Sequence, residues 1–258
     1  MILGWNNLLT GATLSASSEA TGMPVTNLQD DVGSSSVAWQ TIAGVTSATL
    51  TVTPTLAGGT WRVFGIFGTN LTNSGSMTVA LYTNPSTLVW TGSVDGVVAG
   101  YNQLVLDAGA NYSADYAIIT IADTGNPDTF LNIPLAYLGP AWVPDKWVGP
   151  GWSSTFGRDH STSEMKSRGG QEYPTFWWSR RYYDLAARGI SGSDLWAEAQ
   201  EADRVSRMGV NVLFIPDETS TNILSEAVFG RMEVTASFSY ADRVLDRFAC
   251  AYRIKERI

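Results

Sequence analysis

Few side chains in this sequence have a chemistry to offer, and they are scattered. Arg158-Asp159-His160-Ser161 sets an imidazole beside a carboxylate and a hydroxyl, the residue types of a nucleophilic triad. A triad needs groups converging from separate parts of a fold, which immediate neighbours in sequence do not supply. No Gly-x-Ser-x-Gly elbow is present, and no two carboxylates stand out as the acid and base of a glycosidase. Cys250 is the only cysteine and His160 the only histidine, which excludes an intrachain disulfide and a zinc cluster of Cys and His. The chain is therefore expected not to be an enzyme and to need no cofactor. Asp30-Asp31 and the run from Asp123 to Asp128 offer the oxygen ligands of a structural calcium. The run lacks the spacing of a calcium loop, and a solvated acidic turn is the simpler expectation.

Binding chemistry is better represented. Trp39, Asn70, Tyr82 and Trp90 are candidates for a glycan, because aromatic rings take the apolar face of a sugar and amides pair with its hydroxyls. Trp39 also reads as a core residue, the commoner fate of a lone Trp in a β-sandwich. A second aromatic group, Trp142, Trp147, Trp152 and Tyr173, lies in a stretch full of Pro and Gly. These four either fold back over their own core or pack on a neighbouring subunit, where aromatics are enriched.

The elements that must position these residues are mostly strands. Of the 258 residues, 16% are charged, below the usual ~25%. Thr, Ser, Gly and Asn fill the gap, a mix that suits strands joined by tight turns. From 36 to 138, SATLTVTP, WRVFGIFGTN, SMTVALYTN, STLVWTG, YNQLVLDAG and DYAIITIAD follow one another at regular spacing, which predicts a β-sandwich or jelly roll. In the first of them Leu50 and Val52 alternate with Thr49, Thr51 and Thr53. Residues 139–175 have little periodicity and read as a long ordered arm. TFWWSRRYYDLAARGI then reads as a strand. SGSDLWAEAQEADRVSRMG reads as one helix, with the stripe Leu195, Ala199, Ala202, Val205, a cap at Ser193 and a stop at Gly209. VNVLFIPD and the pair EVTASFSY and FACAYRIKE complete an antiparallel sheet. The predicted class is mainly β: a jelly roll over 1–140, an aromatic arm over 141–175, and an α+β module over 176–258 with one helix on an antiparallel sheet.

The net charge is −8 and unevenly spread. Residues 1–140 hold one base, Arg62, against eight acids, whereas the rest is nearly balanced. Such a chain lacks the basic footprint of a nucleic-acid binder. No apolar run reaches the length of a membrane span. The N-terminus lacks a basic segment followed by an apolar core, so synthesis in a cytoplasm is expected.

LSASSEATGMPVTNLQDD followed by VAWQT resembles the opening of a galactose-binding-like, discoidin-type jelly roll. The shared features are Pro24, Asn27, Leu28, Asp30 and Trp39. IITIADTGNPDTFLNIPLAYLGPAWVP (118–144), then Arg180-Arg181-x-Tyr183, a helix, the strand 212–217, Phe229-Gly230 and a final hairpin resemble, in that order, distal tail and tail-tip proteins of long flexible-tailed bacteriophages. This second resemblance implies a virion structural protein at the tail tip, made in the bacterial host. Its partners would be copies of itself in a ring, the tail tube and the hub, with a glycan-binding decoration as an addition. The alternative is a carbohydrate-binding module protein that contacts host surface glycans.

Overall fold

The computed structural model describes residues 1–144, 153–166, 168–242 and 245–257. Sixteen strands occur among them. In chain order the first eleven are β1 (Ile2–Gly4), β2 (Thr13–Ala16), β3 (Trp39–Gln40), β4 (Ser47–Thr53), β5 (Gly59–Phe67), β6 (Ser76–Thr83), β7 (Thr87–Asp95), β8 (Leu104–Ala114), β9 (Tyr116–Ala122), β10 (Asn132–Ile133) and β11 (Leu135–Gly139). After them come β12 (Ser153–Lys166), β13 (Glu172–Ser191), β14 (Asn211–Ile215), β15 (Val228–Asp242) and β16 (Arg247–Glu256). Two compact units result: Met1–Val143 with Val212–Ala227, and Pro144–Asn211 with Val228–Ile258.

The first unit is a jelly-roll β-sandwich. A five-stranded antiparallel sheet, β2-β4-β9-β6-β7, and a three-stranded one, β11-β5-β8, enclose the core. Period-two alternation decides which face is inside. On β4, Ala48, Leu50 and Val52 are buried while Thr49 and Thr51 are half-buried on the other side. Met77, Val79 and Leu81 of β6 and Ala117, Ile119 and Ile121 of β9 join the same core. The turn after Pro24 is a 3-10 helix, Val25–Gln29, that buries Val25 and Leu28. It pins distant segments: the Asn27 amide donates to the Ala38 carbonyl at 2.9 Å, and the Gln29 amide donates to Leu9 and Ala12.

Residues 212–227 depart from the predicted 176–258 module. β14, buried along its length, pairs antiparallel with β1, Leu3 opposite Phe214. The Gln103 amide donates to the carbonyls of Leu224 and Ala227 at 2.7 and 2.9 Å. The five consecutive buried residues of β14 suit any core, so periodicity alone could not assign it to one half of the chain.

The second unit is a four-stranded antiparallel sheet, β15-β16-β13-β12, with one helix. The helix runs continuously over 192–207 and includes a π-turn at Leu195–Ala199. Its inner face is Leu195, Ala199, Ala202 and Ser206, with Val205 half-buried. The cap is Ser191, whose hydroxyl accepts from the Asp194 N–H at 3.1 Å, in place of the expected Ser193. Gly209 stops the chain with φ +83°. Arg181 is buried and held by the Glu256 carboxylate, to which its backbone N–H and Nε donate, both at 2.9 Å. Burial of such a charge requires this kind of pairing.

The expected irregular arm is different from residue 153 onward. There it forms a long hairpin, β12 with β13, in register from Ser153–Ala186 to Lys166–Glu172. The described side chains of β12 are exposed or half-buried on both faces, so no buried stripe signals that strand, whereas β13 is the strand expected from Thr175 onward.

Candidate functional site

The four glycan candidates do not converge. Trp39 is 1% exposed, and its indole N–H donates to the Ser18 carbonyl at 3.0 Å. It is a core residue and offers no ring face to a sugar. Asn70 is consumed by the loops around it. Its amide donates to Asp128 and to the Phe130 carbonyl, and its oxygen accepts from the Asn132 N–H. Trp90 belongs to the inner face of β7, opposite Leu81, where it is one member of a row of ring contacts Trp61–Phe64–Trp90–Tyr112. Its ring lies over Gly92, where a Cβ would sit 2.6 Å from the indole.

Tyr82 has a different setting. It points to the outer face of the five-stranded sheet, opposite Tyr116 of β9 and Leu88 of β7. The two phenol rings stack at 5.2 Å between centroids and 13° from parallel. Both tyrosines are half-buried and Leu88 is exposed, so an apolar strip crosses three strands. Beside it runs a row of Ser15, Thr51, Ile118, Ala80 and Thr91, and beyond that Thr49, Thr120, Thr78 and Ser93. The outer face thus carries an aromatic strip with Ile118 and Ala80 directly beside it, and Ser and Thr hydroxyls on the strands around them and in the row beyond. Tyr116 escaped the sequence reading because its neighbour Tyr82 is adjacent only through strand pairing. The alternating Thr residues of β4 and β6 were the available signal.

The charge near this face is one-sided. Arg62 is the sole Lys or Arg of the first unit. It is tied up on β5, its Nε donating to Asp107 Oδ1 at 3.1 Å. The first unit itself therefore supplies no other Lys or Arg to hold a carboxylate or a sulfate.

The acidic turns divide. Asp123 is fully buried and accepts from the Thr72 N–H, the Thr72 hydroxyl and the Asn126 amide. It is not the solvated turn the sequence suggested, because three donors replace water. Asp128 is exposed and Asp30 also faces solvent. Among the described residues no three His, Cys, Asp or Glu side chains come together as metal ligands. His160 faces away from Asp159 and Ser161, since successive residues of β12 alternate sides. No triad forms from that tetrapeptide.

Of the interface candidates, Trp142 is buried in the first unit, where its backbone exchanges both hydrogen bonds with Leu3. Of its two expected roles it takes the one within its own core. Tyr173 is exposed on β13. Trp147 and Trp152 lie outside the described residues.

No family model and no curated protein matches the chain. Among solved structures it is similar to the lectin domain of lectinolysin complexed with Lewis B antigen (19% identity, TM-score 0.42, 52% of this chain and 95% of that one). A fucose-binding module of Streptococcus pneumoniae is similar at 16% identity and TM-score 0.41, over 52% and 94%. So is chitosan-binding module 1 of a Paenibacillus chitosanase/glucanase, at 15% and 0.42, over 52% and 99%. All three are carbohydrate-binding modules by name.

Proposed function

We propose that the jelly roll is a carbohydrate-binding module that takes neutral glycans on the outer face of its five-stranded sheet, and that the protein binds without turning its ligand over. The observation that carries this reading is the stacked pair Tyr82–Tyr116, continued by Leu88, with Thr51 and Thr91 on the neighbouring strands and Thr49, Thr120, Thr78 and Ser93 one row further on. The apolar face of a pyranose fits an aromatic strip, and its hydroxyls need donors and acceptors at the rim. The acidic unit, with its one base paired, disfavours sialylated or sulfated chains. Lewis B, fucose and chitosan are the ligands of the modules named above. The outer face itself supports the reading, since those likenesses are distant.

A glycan array probed with the full chain tests this. Retention on neutral glycans is expected, falling about tenfold or more in Tyr82→Ala/Tyr116→Ala, since each ring contributes on the order of 1 kcal/mol. Unchanged retention in that variant overturns the outer face as the site.

A second reading places the chain at a phage tail tip, as a ring subunit between tube and hub with the jelly roll as its decoration. The order of motifs along the whole chain supports it, together with the exposed aromatics of the β12–β13 hairpin. Detection of the chain in purified virions is its test, and absence from particles removes it.

A further inference from the structure

A cavity beside the end of the helix lies wholly within the second unit. It measures about 320 Å³ and is lined by Ser206 and Arg207 of the helix and by Arg231, Met232, Glu233 and Val234 of β15. Such a volume lies at the small end of the range for ligand sites. Met232 is buried and Val234 half-buried, so the inner part of the lining is apolar. Arg207, Arg231 and Glu233 are exposed and bring charge to its mouth.

Those charges do not cancel. Arg207 donates from Nε to both oxygens of Asp203, each at 3.0 Å. Glu233 is taken by Lys255, whose Nζ lies 3.1 and 2.9 Å from its two oxygens. Arg231 has no hydrogen bond or ion pair with any described residue. It stands directly opposite Lys255 in the β15–β16 pair, and like charges across a strand pair repel. Its guanidinium rests against Gly209, where a Cβ would come within 2.8 Å of Nη2. Gly209 has φ +83°, so the residue that stops the helix also leaves room for Arg231. The negative end of a helix opposes an anion. Here the N–H groups of Met208 and Gly209 occupy the carbonyls of Val205 and Ser206, and Arg204 and Arg207 stand in the last turn. One positive charge is left without a counter-charge beside an apolar recess.

We propose that this cavity binds a small monocarboxylate with an apolar body, its carboxylate on Arg231 and its body on Met232 and Val234. A guanidinium presents two parallel N–H donors that match the two oxygens of a carboxylate. The bound anion also offsets the repulsion between Arg231 and Lys255. The site is independent of what the jelly roll binds.

Isothermal titration calorimetry of the full chain with benzoate tests it. Saturable binding is expected, with a midpoint of about 1 mM or lower. Acetate has the charge without the body, and benzamide the body without the charge. Each should bind about tenfold more weakly than benzoate, or worse. Arg231→Gln removes the charge and should weaken benzoate about tenfold or more. Arg231→Lys keeps the charge, loses the planar fork and should fall between Arg231→Gln and wild type. Unchanged far-UV circular dichroism keeps misfolding out of the comparison. No saturable binding of benzoate up to about 20 mM overturns the proposal. So does benzamide bound as tightly as benzoate, or either Arg231 variant binding benzoate as wild type does.

Discussion

Both carboxylate oxygens of Asp123 are held by one residue, Thr72. Its backbone N–H reaches Oδ2 at 2.7 Å and its hydroxyl reaches Oδ1 at 2.8 Å. Asn126 adds a third donor, and the Asn126 amide also bonds the Asn70 carbonyl. Asp123 thereby ties the loop after β5 to the loop after β9. Asp123→Ala removes the acceptor of three donors, two of them on half-buried Thr72, and should cost about 3 kcal/mol in chemical denaturation of the jelly roll. Thr72→Val keeps the N–H bond and should cost about 1 kcal/mol. Equal, small losses would mean that the carboxylate is hydrated after all.

Cys250 should be inert in the folded protein. Burial pushes its thiol up to about 11. At pH 8 the thiolate is then on the order of one part in a thousand, far below an exposed cysteine. A thiol reagent should label the native chain slowly and react promptly after unfolding. Rapid native labelling would place Cys250 at the surface.

The Asp184 carboxylate is held below its ordinary value by hydrogen bonds from Arg253, at 2.5 and 2.6 Å, which outweigh its partial desolvation. A depressed folded-state value gives stability that is present above the unfolded value, about 4, and is lost as pH falls through the folded one. The pair is about a third exposed, so the effect is small and screened by salt. The second unit should lose stability below about pH 4, and Asp184→Asn should flatten that loss while lowering stability at neutral pH. A variant with an unaltered acid limb would assign the loss to other carboxylates.

Much of the first unit was legible. Thr residues alternating with Leu, Ile and Val between Gly, Asn and Asp turns give strands with one buried face, as β4 and β9 show. The helix was legible from Leu195, Ala199 and Ala202, although the choice of cap between Ser191 and Ser193 depends on where the chain leaves β13. β13 was legible from Thr175 on, but its partner β12 was not, because a ribbon with both faces in water has no apolar period. The role of 212–227 was not legible either, because β14 is apolar from Val212 to Ile215 and its partner β1 lies near the opposite end of the sequence. The candidate site was half visible. Tyr82 could be singled out, but Tyr116 and the hydroxyl rows exist only once β6, β7 and β9 are in register. Trp39 took the commoner of its two expected fates, burial in the core, because a buried and an exposed Trp look alike in sequence.

The most direct measurement of the glycan reading is fluorine NMR of the full chain labelled with 3-fluorotyrosine. Ten tyrosines are present, and Tyr82→Phe and Tyr116→Phe assign two resonances. Neither hydroxyl has a hydrogen-bond partner among the described residues, and the two rings share one stacked environment. Titration with a neutral glycan retained on the array should shift both resonances together and saturably, with little effect of salt. Saturable shifts at other tyrosines alone, or no shift at either ring, would contradict binding on this face.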